Sequence, residues 1–179
     1  MYTEPVGPAL RQLCILWTAS YERLARRLDG LTEEEFGWAP VPDCWALRPD
    51  PEAPSGWQID YAHPVPTPPP FTTIAWRLVH IASGNWIRWE HALGPARRTF
   101  LDLYVPSTVD GALAYWRDSA APIAAWLATA TEPDLDRPGR TLYGEVVTAG
   151  ETVRILLDEQ VHHGAEIGVL RDLYAHSHG

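Results

Sequence analysis

Glu159 and His163 stand four residues apart in the run Asp158-Glu159-Gln160-Val161-His162-His163-Gly164-Ala165-Glu166-Ile167. In a helix, a four-residue step stacks a carboxylate and an imidazole on one face. Leu156, Gln160, Ile167 and Leu170 fall near that face, so both groups are expected to project toward an interior. Burying a charged carboxylate is costly unless it is paired or bound to a cation, and a divalent metal would satisfy both groups together. The candidate third ligand is His80, in Ala75-Trp76-Arg77-Leu78-Val79-His80-Ile81-Ala82-Ser83-Gly84. Ser83 and Gly84, one turn on, are small enough to leave room for an ion and a substrate. His91 lies on nearly the same face, but eleven residues at the helical rise put it roughly 16 Å from His80, too far to share one metal. The spacing also fits a weak ion pair on a helix surface, and by itself does not separate the two readings.

The neighbouring residues carry weaker signals. His162 points a quarter-turn or more away from His163, which suits a surface position or one that only supports the ligands. Glu166 follows His163 by three and could orient its ring through a hydrogen bond, or stand as an exposed carboxylate. Cys44, beside Trp45, is either a reactive thiol over the site or a buried, inert one. Trp17, Trp76 and Trp116 fall at helix-seam positions and read as core.

Four long amphipathic helices must position these groups. Leu10, Leu13, Cys14, Trp17, Tyr21, Leu24 and Leu28 recur at three- and four-residue steps, with Gly30 closing the first helix. Thr32 and Glu35 have capping-box spacing for a short turn. A second helix is expected from Thr72 or Thr73 to Leu93. A third begins at Ser107 or Thr108, with Val109, Leu113, Trp116, Ala120, Ile123 and Leu127 as its seam and a kink expected at Pro122. Residues 131–150 read as a polar connection with a short extended piece at Thr141–Val147. The fourth helix is expected over Glu151–Tyr174, with His176 and His178 in a frayed end.

Between the first two helices, residues 38–70 hold ten of the 17 prolines and no sustained period. Trp38, Trp45, Trp57 and Tyr61 argue for an ordered loop wrapped over one end of the bundle. The expectation is therefore an all-α, single-domain four-helix bundle over residues 1–179, without a substantial sheet.

Composition removes several classes of function. The net charge is −9 and no basic stripe is present, so nucleic acid is not an expected partner. All 14 cationic residues are Arg, which excludes lysine chemistry. No apolar run approaches the roughly 20 residues of a spanning helix, so no membrane partner is expected. Residues 1–8 show no basic region followed by an apolar stretch, so no export signal is expected. Two cysteines, Cys14 and Cys44, make no disulfide framework, and a reducing cytoplasm is the default.

The stretch 159–167, followed by Leu170-Arg171-Asp172-Leu173-Tyr174, resembles the last helix of DinB-superfamily proteins. Thr73-Ile74-Ala75-Trp76-Arg77-Leu78-Val79-His80-Ile81 resembles the second helix of that superfamily, which supplies the first His of a metal triad. The Pro-rich loop with Cys44-Trp45 and Pro68-Pro69-Pro70-Phe71 is similar to a subgroup from high-GC bacteria. The resemblance implies a triad of His80, Glu159 and His163, although many relatives have His where this chain has Glu159. Carboxylate and imidazole together suit zinc first, with nickel or iron as other expectations. The resemblance further implies a detoxification-type S-transferase or isomerase that uses a low-molecular-weight thiol such as mycothiol against small electrophiles. Metal-assisted hydrolysis by an activated water, and a non-enzymatic metal-binding stress protein, stay open as alternatives. A homodimer is among the expected states.

Overall fold

In the computed structural model, which describes residues 7–179, the chain is mostly helical. The first six residues of the segment tested for an export signal lie outside the described part. Helix α1 spans Pro8–Leu28, and a one-turn helix α2 spans Glu33–Gly37. A small antiparallel pair follows, β1 (Leu47–Pro49) with β2 (Trp57–Ile59). Helix α3 is Ile74–Leu93 and α4 is Val109–Leu127. A second hairpin, β3 (Pro138–Arg140) with β4 (Val146–Thr148), leads into α5, Ala149–His178. No helix of the described residues is long and apolar enough to cross a membrane.

The helix starts follow from side-chain chemistry. Thr73 and Thr108 each accept a hydrogen bond from a first-turn backbone N–H, at Trp76 and Gly111. Thr148 and Glu151 form a reciprocal capping box, which starts α5 two residues before the sequence expectation. The expected fraying after Tyr174 is not found. The His178 ring stacks on Tyr174 at 4.2 Å between centroids and meets the edge of Trp38 at 5.8 Å, so the helix keeps partners to its end. Pro122 lies within α4, which is unbroken over Val109–Leu127. The extended piece expected at Thr141–Val147 is the tip and second strand of the β3–β4 hairpin, turned at Gly144 with φ +85°.

Cross-helix pairs fix the directions. Ser20 meets Gln160 and Arg27 meets Asp172, so α1 and α5 run parallel. Arg77 meets Glu166 and Arg88 meets Glu159, so α3 and α5 run antiparallel. Asn85 meets Ser119 and the Trp89 ring meets Trp126, so α3 and α4 run parallel. The bundle is thus up-down-down-up. Parallel neighbours need a connection that returns the length of the bundle, and residues 94–108 supply it. Glu90 anchors its start: Oε1 accepts from the backbone N–H of Arg97 (2.7 Å) and Arg98 (3.0 Å), and Oε2 from Arg98 Nε (2.6 Å).

The core has two apolar parts. Leu24, Leu28, Ile74, Leu78, Ile81, Trp116 and Ile167 pack at one end, and Leu10, Trp17, Ile123, Val153 and Leu156 at the other. Between them along the helices lie the buried polar pairs Ser20–Gln160 and Asn85–Ser119. The 38–70 segment sits at the first end, where α3 begins. Trp45 bridges Thr72, and Trp76 Nε1 donates to the Asp60 carbonyl at 2.7 Å. Its strands were not legible in the sequence, because three residues each are too few to show alternation.

A candidate metal centre between two helices

His80 lies in the second turn of α3, and Glu159 and His163 lie mid-way along α5. Antiparallel packing of the two helices brings all three to one place. Glu159 Oε2 is 3.1 Å from His80 Nε2 and 3.3 Å from His163 Nε2. The ligand atoms of the three residues lie within 4.8 Å of one another, and among the described residues no fourth His, Cys, Asp or Glu joins this set. A tetrahedral site with bonds of about 2.0–2.1 Å has edges of about 3.3–3.4 Å. Both separations from Glu159 match such an edge, so the donor set fits a divalent ion.

Each donor is held by a second contact. The Trp76 ring stacks on His80 with 4.7 Å between centroids and 9° between planes. Trp76 is also buried in the core, as the seam position implied. Glu159 Oε1 is 3.3 Å from Arg88 Nη2, which leaves Oε2 to face both imidazoles. His163 Nδ1 is 2.7 Å from Glu166 Oε2, and Arg77 pairs with the same carboxylate oxygen. Arg77 Nη1 also lies 2.8 Å from His163 Nδ1. With a metal bound, His163 would carry its proton on Nδ1, donated to Glu166, and offer Nε2 as the lone pair, and Arg77 would serve Glu166 rather than the ring.

The protonation equilibria fit a cation-binding site. Hydrogen bonds from His163 and His80, with the charge of Arg88, hold the Glu159 carboxyl far below the usual carboxylate range against the opposing effect of burial. Burial would lower the His163 pKa, but hydrogen bonds to Glu159 and Glu166 outweigh it and raise it. Burial would raise Glu166, yet the His163 bond and the Arg77 charge hold it down. Two carboxylates thus favour positive charge at this spot, which a proton or a metal can supply.

Of the other residues singled out in the sequence, Glu166 orients His163 as described. The His162 side chain is 60% exposed, its ring stacks on His163 at 4.4 Å, and its Nε2 lies 3.4 Å from Glu166 Oε1. His162, His163 and Glu166 form a second group of ligand-type atoms, which shares His163 with the first. Cys44 belongs to neither group; it is buried, and its thiol donates to the Val41 carbonyl. His91 Nε2 bonds the Arg98 carbonyl at 2.7 Å, outside both groups. Sequence reasoning missed Arg77 and Arg88. Arg77 lies one turn before His80 on α3 and Arg88 about two turns after it, and their partners, Glu166 and Glu159, lie on a helix about 80 residues away in the chain.

The sequence model of the DinB superfamily matches residues 16–167, a span that contains His80, Glu159 and His163. The chain belongs to the DinB superfamily. None of the curated proteins compared with it matches. The resemblance seen at residues 73–81 and 159–174 therefore holds at the level of the family, and the all-α bundle agrees with it. For this DinB-superfamily chain, the donor set at His80, Glu159 and His163 is compatible with a divalent metal.

Proposed function

We propose that this DinB-superfamily chain is a divalent-metal-dependent enzyme that uses a small thiol, of the mycothiol kind, as an S-transferase or isomerase on small electrophiles. The observation that carries the reading is the approach of two imidazole Nε2 atoms to the single oxygen Glu159 Oε2, at 3.1 and 3.3 Å. Three protein donors, with no fourth among the described residues, leave a coordination position for a substrate, as in catalytic rather than structural sites. A divalent ion there, zinc first and nickel or iron next, would lower the pKa of a coordinated thiol and supply a nucleophile at neutral pH.

The protein's own groups do the remaining work. Glu166 fixes the His163 tautomer, Trp76 fixes the plane of His80, and Arg88, by holding Oε1 of Glu159, would leave Oε2 to bind an ion. Trp45 packs 5.6 Å from Trp76, and the Asp60 carbonyl caps the Trp76 N–H, so the 38–70 segment holds the ring that stacks on His80. The test has two parts. Elemental analysis of untagged protein is expected to find close to one divalent ion per chain. Consumption of an electrophile is expected to require mycothiol, bacillithiol or glutathione. Folded, metal-free protein that takes up neither zinc nor nickel would defeat the metal reading, and equal rates without thiol would defeat the transferase reading.

A further inference from the structure

We infer that the site selects a ligand carrying a carboxylate, and that Arg88 is the residue that binds it. The inference rests on the metal reading above and adds a substrate class to it.

Charge balance is the first argument. Glu159 is paired with Arg88, Glu166 is paired with Arg77, and imidazoles that ligate a metal are neutral. The protein groups therefore cancel. A divalent cation would leave two positive charges for its ligands to neutralise, in a partly buried place where the donor side chains His163, Glu159 and His80 are 11%, 26% and 33% exposed. Unbalanced charge is costly in such surroundings. A thiol bound as its anion supplies one negative charge, and a carboxylate, on that thiol or, where the thiol has none as in mycothiol, on the electrophile beside it, supplies the second. The chain as a whole is at −9, so this would be a local positive spot on an acidic protein.

The second argument is which arginine is free to act. Arg77 is buried and committed to Glu166. Arg88 is 45% exposed and makes one hydrogen-bonded contact among the described residues, 3.3 Å to Glu159 Oε1. A guanidinium has five N–H donors in a planar fork suited to a carboxylate. Most of that fork is unused, beside a metal ligand and within reach of solvent. Arg88 can keep Glu159 oriented with one nitrogen and offer the rest to a ligand.

The test uses two thiols that share a sulfur donor and differ in one carboxylate, 3-mercaptopropionate and 2-mercaptoethanol. Each is titrated into the full-length chain loaded with cobalt(II), read by calorimetry and by the cobalt–sulfur absorption, with metal content measured in parallel. Wild type is expected to bind the carboxylate thiol about tenfold tighter or more, the range of a charge-assisted pair. Arg88→Gln, compared at cobalt(II) concentrations that fill its site, is expected to lose that preference, while Arg88→Lys keeps part of it. Equal affinities in wild type, or a preference that survives in Arg88→Gln, would overturn the inference. Failure of wild type to take up metal defeats the metal reading itself and this inference with it. Metal uptake without a preference defeats the inference alone.

Discussion

Glu166 lies 2.7 Å from Nδ1 of His163, one turn along the same helix, and Arg77 from the facing helix closes on the same carboxylate oxygen. The carboxylate thus decides which imidazole nitrogen carries the proton, and Arg77 decides where the carboxylate stands. Removing an outer partner of a ligating His typically costs 10–100-fold in metal affinity. Glu166→Ala is expected to weaken zinc binding by about that factor and also to lower Tm, because it leaves the buried Arg77 without its carboxylate. Competition against a chromophoric chelator measures it. Unchanged affinity would mean that the ring is held by packing alone.

The Glu90 clamp makes a pH prediction independent of the metal. Burial alone would raise the Glu90 carboxyl, but the N–H groups of Arg97 and Arg98 and the Arg98 guanidinium outweigh it and hold it below its ordinary value. A depressed folded-state pKa stabilises the fold above the unfolded value of about 4.3, and that stability is lost as pH falls through the folded value. Glu90→Gln is therefore expected to destabilise the protein near pH 7 and to flatten the acid side of its stability curve. Urea unfolding at several pH values between 7 and 3 checks the sign. Parallel acid limbs in wild type and variant would show that Glu90 does not contribute through its charge.

The 38–70 segment meets the rest of the fold at the His80 end. Asp60 and Trp45 contact Trp76, and Ser55 Oγ accepts from the Val105 N–H at 3.1 Å. Replacing the β1–β2 tip, residues 50–56, with a tight turn is expected to leave metal content unchanged and to change the range of electrophiles accepted. Steady-state kinetics over electrophiles of increasing size provides the measurement. A shortened chain with the wild-type substrate range would remove the segment from any role in access.

The legible parts of the sequence were those with a period. The seam of α1, the N-caps at Thr73 and Thr108, and the four-residue step from Glu159 to His163 all depend on neighbours within two turns. The helix directions were not legible, because Ser20–Gln160 and Asn85–Ser119 are settled only when distant segments pack. The same limit hid Arg88 and Arg77, whose meaning depends on Glu159 and Glu166 across the groove. The end of α5 was misjudged because His178 gains its partners from Trp38 and from the preceding turn. The third donor, His80, was a candidate from its place mid-helix beside Ser83 and Gly84, and the family resemblance strengthened that reading.

Glu159 stands where the resemblance to the superfamily implies a His, and it gives the sharpest test of the donor set. Glu159→His is expected to keep both fold and metal, because imidazole and carboxylate bind zinc at similar distances of about 2.0–2.2 Å. Arg88 would lose its partner, but at 45% exposure water can solvate it. Glu159→Leu is expected to keep the helix, since Leu is a strong helix former. Without the shared oxygen between His80 and His163, metal affinity should fall by more than about 100-fold, beyond the usual cost of losing an outer partner. The two variants therefore separate ligation from packing. If Glu159 is only an ion-pair partner of the two histidines and Arg88, both changes should leave metal content alone and shift stability by less than about 1 kcal/mol, or about 2–4 °C in Tm for a chain of this size. Equal metal content in wild type, Glu159→His and Glu159→Leu would remove Glu159 from the site. The other group of donors, His162 with His163 and Glu166, would then be the set to test next.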